Sequence, residues 1–175
     1  MSEQIKYEAV FGDRLITHIS KFLEYKKETG EFVWITPTSN RVCAGDVAGN
    51  NYKNSYTTIY LNKKMYYAHE LVLLFETGEM PVGIIDHINL NKKDNRFENL
   101  RLCNKSENGC NRGLNKNNTS GEKGVTWHKK AKKWCAEVWK DGVKHYLGLF
   151  DSYDHAVCAV REKRVELHGA FAKFN

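Results

Sequence analysis

No apolar run in this sequence is long enough to cross a bilayer. The longest, such as "LVLLF" at residues 71 to 75, fall far short of the ~20 residues that a spanning helix needs. The N-terminus has neither a basic region followed by an apolar stretch nor a small-residue cleavage site, so the expected setting is intracellular and cytoplasmic, with no membrane contact. The cysteines, Cys43, Cys103, Cys110, Cys135 and Cys158, are odd in number and never spaced C-x-x-C. That argues against a zinc ribbon and a secreted disulfide framework, and leaves ordinary buried or half-buried thiols. No internal repeat of fixed period is evident.

What is present is a chain of 175 residues, 41% apolar and 12% aromatic, enough to bury one modest core or two small ones. Its net charge of +6 is unevenly placed. Residues 23 to 112 hold twelve basic and eleven acidic side chains, whereas residues 113 to 175 hold twelve and seven. A basic surplus confined to the C-terminal third suggests a polyanion-binding surface there; the alternative is a solvated lysine-rich face.

Residues 11 to 23, "FGDRLITHISKFL", place Phe11, Leu15, Ile19 and Phe22 at helical spacing. "YKKETGEFVW" reads as a hairpin around Gly30, and "YTTIYLNKKMYY" as a second, turning at Asn62-Lys63-Lys64. "AHELVLLFETG" has the length and the closing Gly78 of a helix, with Pro81 beyond it. His69, on this helix, reads as a packing residue. "GLNKNNTSG" at 113 to 121 has no apolar periodicity and marks a boundary. Three strands follow, the last two joined by Asp141-Gly142, a type I′ hairpin signal, and then a helix from about Asp151 that ends at Gly169. The expected division is a helical segment at 1–22, a first domain at 23–112, a linker at 113–120 and a C-terminal domain at 121–175.

The stretch from 84 to 111, "IIDHINLNKKDNRFENLRLCNKSENGCN", ends a buried-looking strand on Asp86 and His87. Consecutive strand side chains point to opposite sides, so one can hold a metal while the other faces a substrate. Asn104-Lys105-Ser106-Glu107 has capping-box form, so a helix should start near Lys105 with Asn108 in its first turn. Asn99 lies twelve residues after His87, in "DNRFENLR", and Asn108 nine residues later, in "SENGCN". This pattern resembles the HNH endonucleases, particularly the phage and intron-encoded homing type. "YKKETGEFVW", "GDVAG" and "YYAHELV" also look like the elements that precede the nuclease motif in phage members, and the resemblance covers about residues 23 to 112.

The resemblance implies a ββα-metal (His-Me finger) nuclease domain. In it His87 would be the general base that deprotonates water for attack on a phosphodiester, work that suits an imidazole near neutrality. Asp86 and Asn108 would ligate one divalent cation, and Asn99 would orient the imidazole. Oxygen ligands of this kind suit Mg²⁺ or Mn²⁺ rather than zinc. Arg96 and Arg101 would be phosphate contacts.

Residues 118 to 175 resemble the AP2 DNA-binding domain on "GVTW", "WCAEVW", "YLGLF", "HAVCAV" and "HGAFAKFN". The resemblance implies a three-stranded antiparallel sheet lying in the major groove with one helix packed behind it. Strand alternation would turn Trp134, Ala136 and Val138 toward the helix and leave Glu137 and Trp139 outward. Trp127 and Trp134 read as core, Trp139 as an exposed platform. Thr126, His128, Trp139 and Lys144 stand where the plant domains have arginines, so base-specific contacts do not carry over. A phosphate footprint does, supplied by Lys123, Lys129, Lys130, Lys132 and Lys133, while Thr126, His128, Trp139, Lys144 and Tyr146 are the expected DNA-binding residues of the strands.

The whole therefore reads as an α+β protein of a phage-infected or bacterial cell. It is expected to cut double-stranded DNA, preferring certain sites as a nickase or homing endonuclease does, with no obligate protein partner. Double-strand cleavage would need a homodimer or two events. Two rivals stand beside it: a DNA-binding regulator with a vestigial nuclease site, and an RNA-directed nuclease or binder.

Overall fold

The computed structural model describes residues 12–51 and 55–174. Residues 12–19 are helical (α1). The first hairpin follows, β1 (Leu23–Lys26) with β2 (Glu31–Trp34), and then a second, β3 (Thr58–Leu61) with β4 (Lys64–Tyr67). α2 (Ala68–Thr77) leads to β5 (Ile84–His87), which pairs across a long polar loop with β6 (Leu100–Cys103). Beyond lie α3 (Lys105–Cys110), β7 (Val125–His128), β8 (Lys133–Lys140), β9 (Val143–Phe150) and α4 (Tyr153–His168). Among the described residues the strand pairs are all antiparallel, in three two-stranded sheets and one three-stranded sheet of order β7-β8-β9. No helix among the described residues is long and apolar enough to cross a membrane.

Local chemistry explains most of these elements. Both two-residue turns of type I′ character carry positive φ at their centres: Asn62 and Lys63 join β3 to β4, and Asp141 and Gly142 join β8 to β9. α3 starts on a complete capping box. The Asn104 side chain accepts from the Glu107 backbone N–H at 2.9 Å, and the Glu107 carboxylate accepts from the Asn104 N–H at 2.8 Å. The apolar spacing that suggested helix as far as residue 23 is overridden at its end. Residues 20–22 form a turn, and Leu23 pairs with Trp34 as the first residue of β1. Phe11, the first residue of that expected helix, lies outside the described residues.

The chain divides after Cys103 into two compact units. The core of the first gathers Ile19, Leu23, Phe32, Ile59 and Leu61 around Leu71, Val72 and Leu74 of α2. Leu71, Val72 and Leu74 supply the buried stripe that makes α2 a helix held by packing rather than by propensity. In the second unit Val125, Ala136 and Val138 from the sheet pack on Ala156 and Val160 of α4. A bulge between Ala136 and Glu137 shifts the β8-β9 register, after which Glu137 pairs with Tyr146 and Trp139 with Lys144. Trp127 is not core as expected: it is 46% exposed on the short edge strand β7, with its ring against the edge of Trp134 at 5.0 Å.

Candidate functional site

β5 delivers Asp86 and His87 at its end, each only 4% exposed. Its register with β6 sets Asp86 opposite Arg101 and His87 opposite Leu100. The cross-strand pair is charged. Arg101 donates from Nε and Nη2 to Asp86 Oδ2, at 2.9 and 2.8 Å, fixing the carboxylate at both a distance and an angle.

The loop between β5 and β6 is held by its own amides. Asn99 donates from Nδ2 to Asp94 O at 2.7 Å and to Asn89 Oδ1 at 3.0 Å, and its Oδ1 accepts from the Asn89 N–H at 3.0 Å. Asn89 in turn donates to Asp94 Oδ2 at 2.7 Å. Arg96 grips Asp94 with Nε and Nη2, at 2.9 and 2.8 Å, and reaches Glu98 with Nη1 at 2.8 Å. That hydrogen-bonded guanidinium holds the Asp94 carboxyl down to about 2. Asn99 thus fixes the path of the loop, and Asn95 hydrogen-bonds the imidazole. Its Oδ1 lies 3.1 Å from His87 Nε2, a contact that sequence reasoning missed. An amide oxygen facing Nε2 favours the tautomer that carries the proton there.

Asn95 is itself positioned from a distant hairpin. Gly30, at the turn between β1 and β2, has φ +70, and a Cβ on it would lie 2.2 Å from the Asn95 carbonyl carbon. Only a residue without a side chain allows this approach. The turn motif "ETGE" therefore backs the loop that orients His87.

The other wall of the site is aromatic. His69 is the second residue of α2, 7% exposed, with Tyr67 stacked on it at 5.4 Å and Tyr56 tilted against it at 4.8 Å. Its ring meets His87 edge to face at 5.4 Å. Burial, and secondarily the neighbouring His87, push His69 down to about 4, so it is neutral near pH 7. His69 Nδ1 is buried and has no hydrogen-bond partner among the described residues. The expected packing role omitted this proximity, which depends on two residues eighteen positions apart meeting in space. His87 is also lowered, by burial first, against the upward pull of the Asn95 bond, Asp86 and Asp94.

The remaining expected residues fall as follows. Asn108 lies in the first turn of α3, its backbone N–H bonded to Asn104 O at 3.0 Å. Lys123 donates from Nζ to the carbonyls of Cys110 and Arg112. Thr126 and His128 are exposed on β7, and Lys130 is exposed in the turn before β8. Trp139, Lys144 and Tyr146 are exposed on β8 and β9, with Lys144 bonded to Glu137 at 2.5 Å and 5.8 Å above the Trp139 ring. Arg96 and Arg101 are engaged by carboxylates. Among the described residues no group of three or more His, Cys, Asp or Glu converges that could hold a metal ion by itself. Any cation here would be met by Asp86 with amide, water and substrate oxygens.

A family model described as HNH endonuclease matches residues 66–110, from β4 through α3, a span that includes Asp86, His87, Asn99 and Asn108. Protein 3.8 of Escherichia phage T7 is 39% identical over 98 residues, covering 55% of this chain and 80% of that protein. A protein named as an HNH endonuclease from Acanthamoeba polyphaga mimivirus is 31% identical over 124 residues, covering 70% of this chain and 64% of that protein. No solved structure matches.

Proposed function

We propose a mechanism and a substrate from one premise: the chain belongs to the HNH endonuclease family and is an enzyme that hydrolyses DNA. His87 is the general base. Asn95 holds Nε2 in its protonated form, so Nδ1 takes a proton from the attacking water, and burial keeps the imidazole neutral and ready to accept it. Asn99 acts one step back, holding the loop that carries Asn95. The observation that carries the reading is the buried Asp86-His87 pair at a strand end, with a carboxamide on the imidazole.

Asp86 is a hard oxygen donor whose orientation Arg101 fixes, which fits Mg²⁺ or Mn²⁺. The spacing of the family motif implies that Asn108 would be the second protein ligand. Such a cation, when bound, supplies charge stabilisation for the departing 3′ oxygen. One active site cuts one strand, so a monomer nicks at preferred sites, and a double-strand break takes two protomers or two events.

Duplex DNA is met by the AP2-like sheet of the C-terminal domain. Thr126, His128, Trp139, Lys144 and Tyr146 form its exposed outward face, with Lys123 and Lys130 beside it. Arg96 and Arg101 are already paired with carboxylates and would offer a phosphate only their remaining N–H donors.

The test is conversion of supercoiled plasmid to nicked circles with Mg²⁺ or Mn²⁺, comparing wild type, His87→Ala and an EDTA control. Metal-dependent nicking lost in the variant, with duplex binding kept, is the expected result. Binding without nicking by wild type, across both metals and candidate target sequences, would replace this reading with that of a regulator.

A further inference from the structure

We infer that the C-terminal unit holds a phosphate cavity of its own, in which Arg112, Lys123, Lys140 and Arg164 receive a backbone phosphodiester of the DNA. The cavity has a volume of about 590 Å³ and is lined by α3 and the residues after it, Thr126 of β7, the end of β8 with its turn, and the last turns of α4. That is about twenty times the ~30 Å³ share of one water, room for a phosphate with its flanking sugars.

Its walls carry four permanent cations and two carboxylates, Glu137 and Asp141. Glu137 is already bonded to Lys144. The cations are met mostly by carbonyl dipoles. Lys123 donates to the carbonyls of Cys110 and Arg112, and Lys140 Nζ donates to Leu167 O at 2.5 Å. Arg164 Nη1 donates to Lys173 O at 3.2 Å, while its Nε is buried without a partner among the described residues. Glu122 attracts Arg164 through space, but its hydrogen bond goes to Arg161 at 2.7 Å.

Neutral acceptors satisfy hydrogen bonds without cancelling charge, so a positive potential remains in the cavity. The ionisation of the lining groups agrees. Burial, and then the charge of Arg164, lower Lys123 and His168, and burial lowers Arg164 itself. Cations that destabilise one another in a half-closed space are relieved by an anion. A phosphate offers several acceptor oxygens to a guanidinium fork and to ammonium groups at once.

The ligand is a strand rather than free phosphate because the cavity is continuous with the outward face of the sheet. Thr126, Glu137 and Trp139 belong to both. DNA lying on that face therefore passes the cavity mouth. The choice of ligand rests on the DNA-nuclease reading; the charge and shape of the cavity do not.

The test uses the full chain in EDTA with a fluorescent duplex, and measures affinity against salt for wild type, Arg164→Gln and Arg112→Gln. Each variant should bind about tenfold or more weakly, as loss of a charged hydrogen bond implies. Its log-log salt slope should flatten by roughly one phosphate's worth, ~0.9. A second measurement leaves the protein intact: methylphosphonate replaces single phosphates along the duplex. One position should weaken wild type while adding no further loss to Arg164→Gln. If wild type and both variants bind the duplex with equal affinity and slope, the cavity is no DNA site, although the nuclease reading stands. If inorganic phosphate alone raises the melting temperature of wild type but not of Arg164→Gln, and the duplex slopes agree, the occupant is a free anion and the strand assignment is overturned. If wild type binds no duplex at all, the substrate reading falls together with the cavity.

Discussion

Replacing His69 by Phe should make the nuclease unit less sensitive to acid. In the folded chain His69 is held to about 4, first by burial and then by the charge of His87. An unfolded histidine titrates near ~6.5. As pH falls, the unfolded chain therefore takes up this proton first. The stability that the neutral ring supports is fully present above pH ~6.5 and is lost as pH falls toward 4. Linkage with these two values gives a loss on the order of 2–3 kcal/mol by about pH 4.5. Phe keeps the ring against Tyr56, Tyr67 and His87 but has no proton to gain. The change in stability between about pH 7 and pH 4.5 should therefore shrink by that amount. His87 remains in both proteins, so the difference isolates position 69. Hydrogen exchange of the buried α2 amides of Leu71, Val72 and Leu74, corrected for intrinsic rates, reads this unit separately from the other. Equal losses in wild type and His69→Phe would refute the reasoning, because they would mean that the ring accepts its proton in the folded state without penalty.

Gly30→Ala should lower nicking more than it lowers the melting temperature, since its Cβ would collide with the Asn95 carbonyl and displace the amide that sets the His87 tautomer. Equal nicking rates at a temperature where both proteins are folded would show that the loop yields without moving Asn95. Asp94→Asn should flatten the acid limb of the stability curve. The wild-type carboxylate, held down chiefly by its Arg96 hydrogen bond, contributes stability above ~4 that is lost as pH falls through about 2. Denaturation midpoints across that window measure it.

Elements fixed by neighbouring residues were legible in the sequence. The Asp141-Gly142 turn, the capping box at Asn104 and the end of β5 at His87 follow from chemistry within four or five positions. What depended on distant approach was not. Asn95 and Asn99 are alike in composition and context, and only the loop path decides which reaches the imidazole. Gly30 shapes that path from more than sixty residues away. His69 looked like one more residue on an amphipathic helix until β5 was laid beside it. The Arg101-Asp86 pair was intermediate: register supplies it once the hairpin is known, but a run of polar residues does not reveal how long the loop is. Trp127 failed for a related reason, since a four-residue edge strand cannot cover an indole.

The choice of an amide at position 95 has its own logic. A carboxylate against Nε2 would stabilise the imidazolium and so raise the fraction of the ring that is already protonated and unable to accept a proton from water. Asp86 and Asp94 already pull His87 upward. An amide oxygen fixes the same tautomer and ring orientation with a far weaker charge effect, and burial then prevails, leaving the ring neutral. The carboxylates near the site are in turn tied to guanidinium groups, Asp86 to Arg101 and Asp94 to Arg96, which limits their influence on the imidazole. The asparagines of the loop are therefore a way to position a base without charging it.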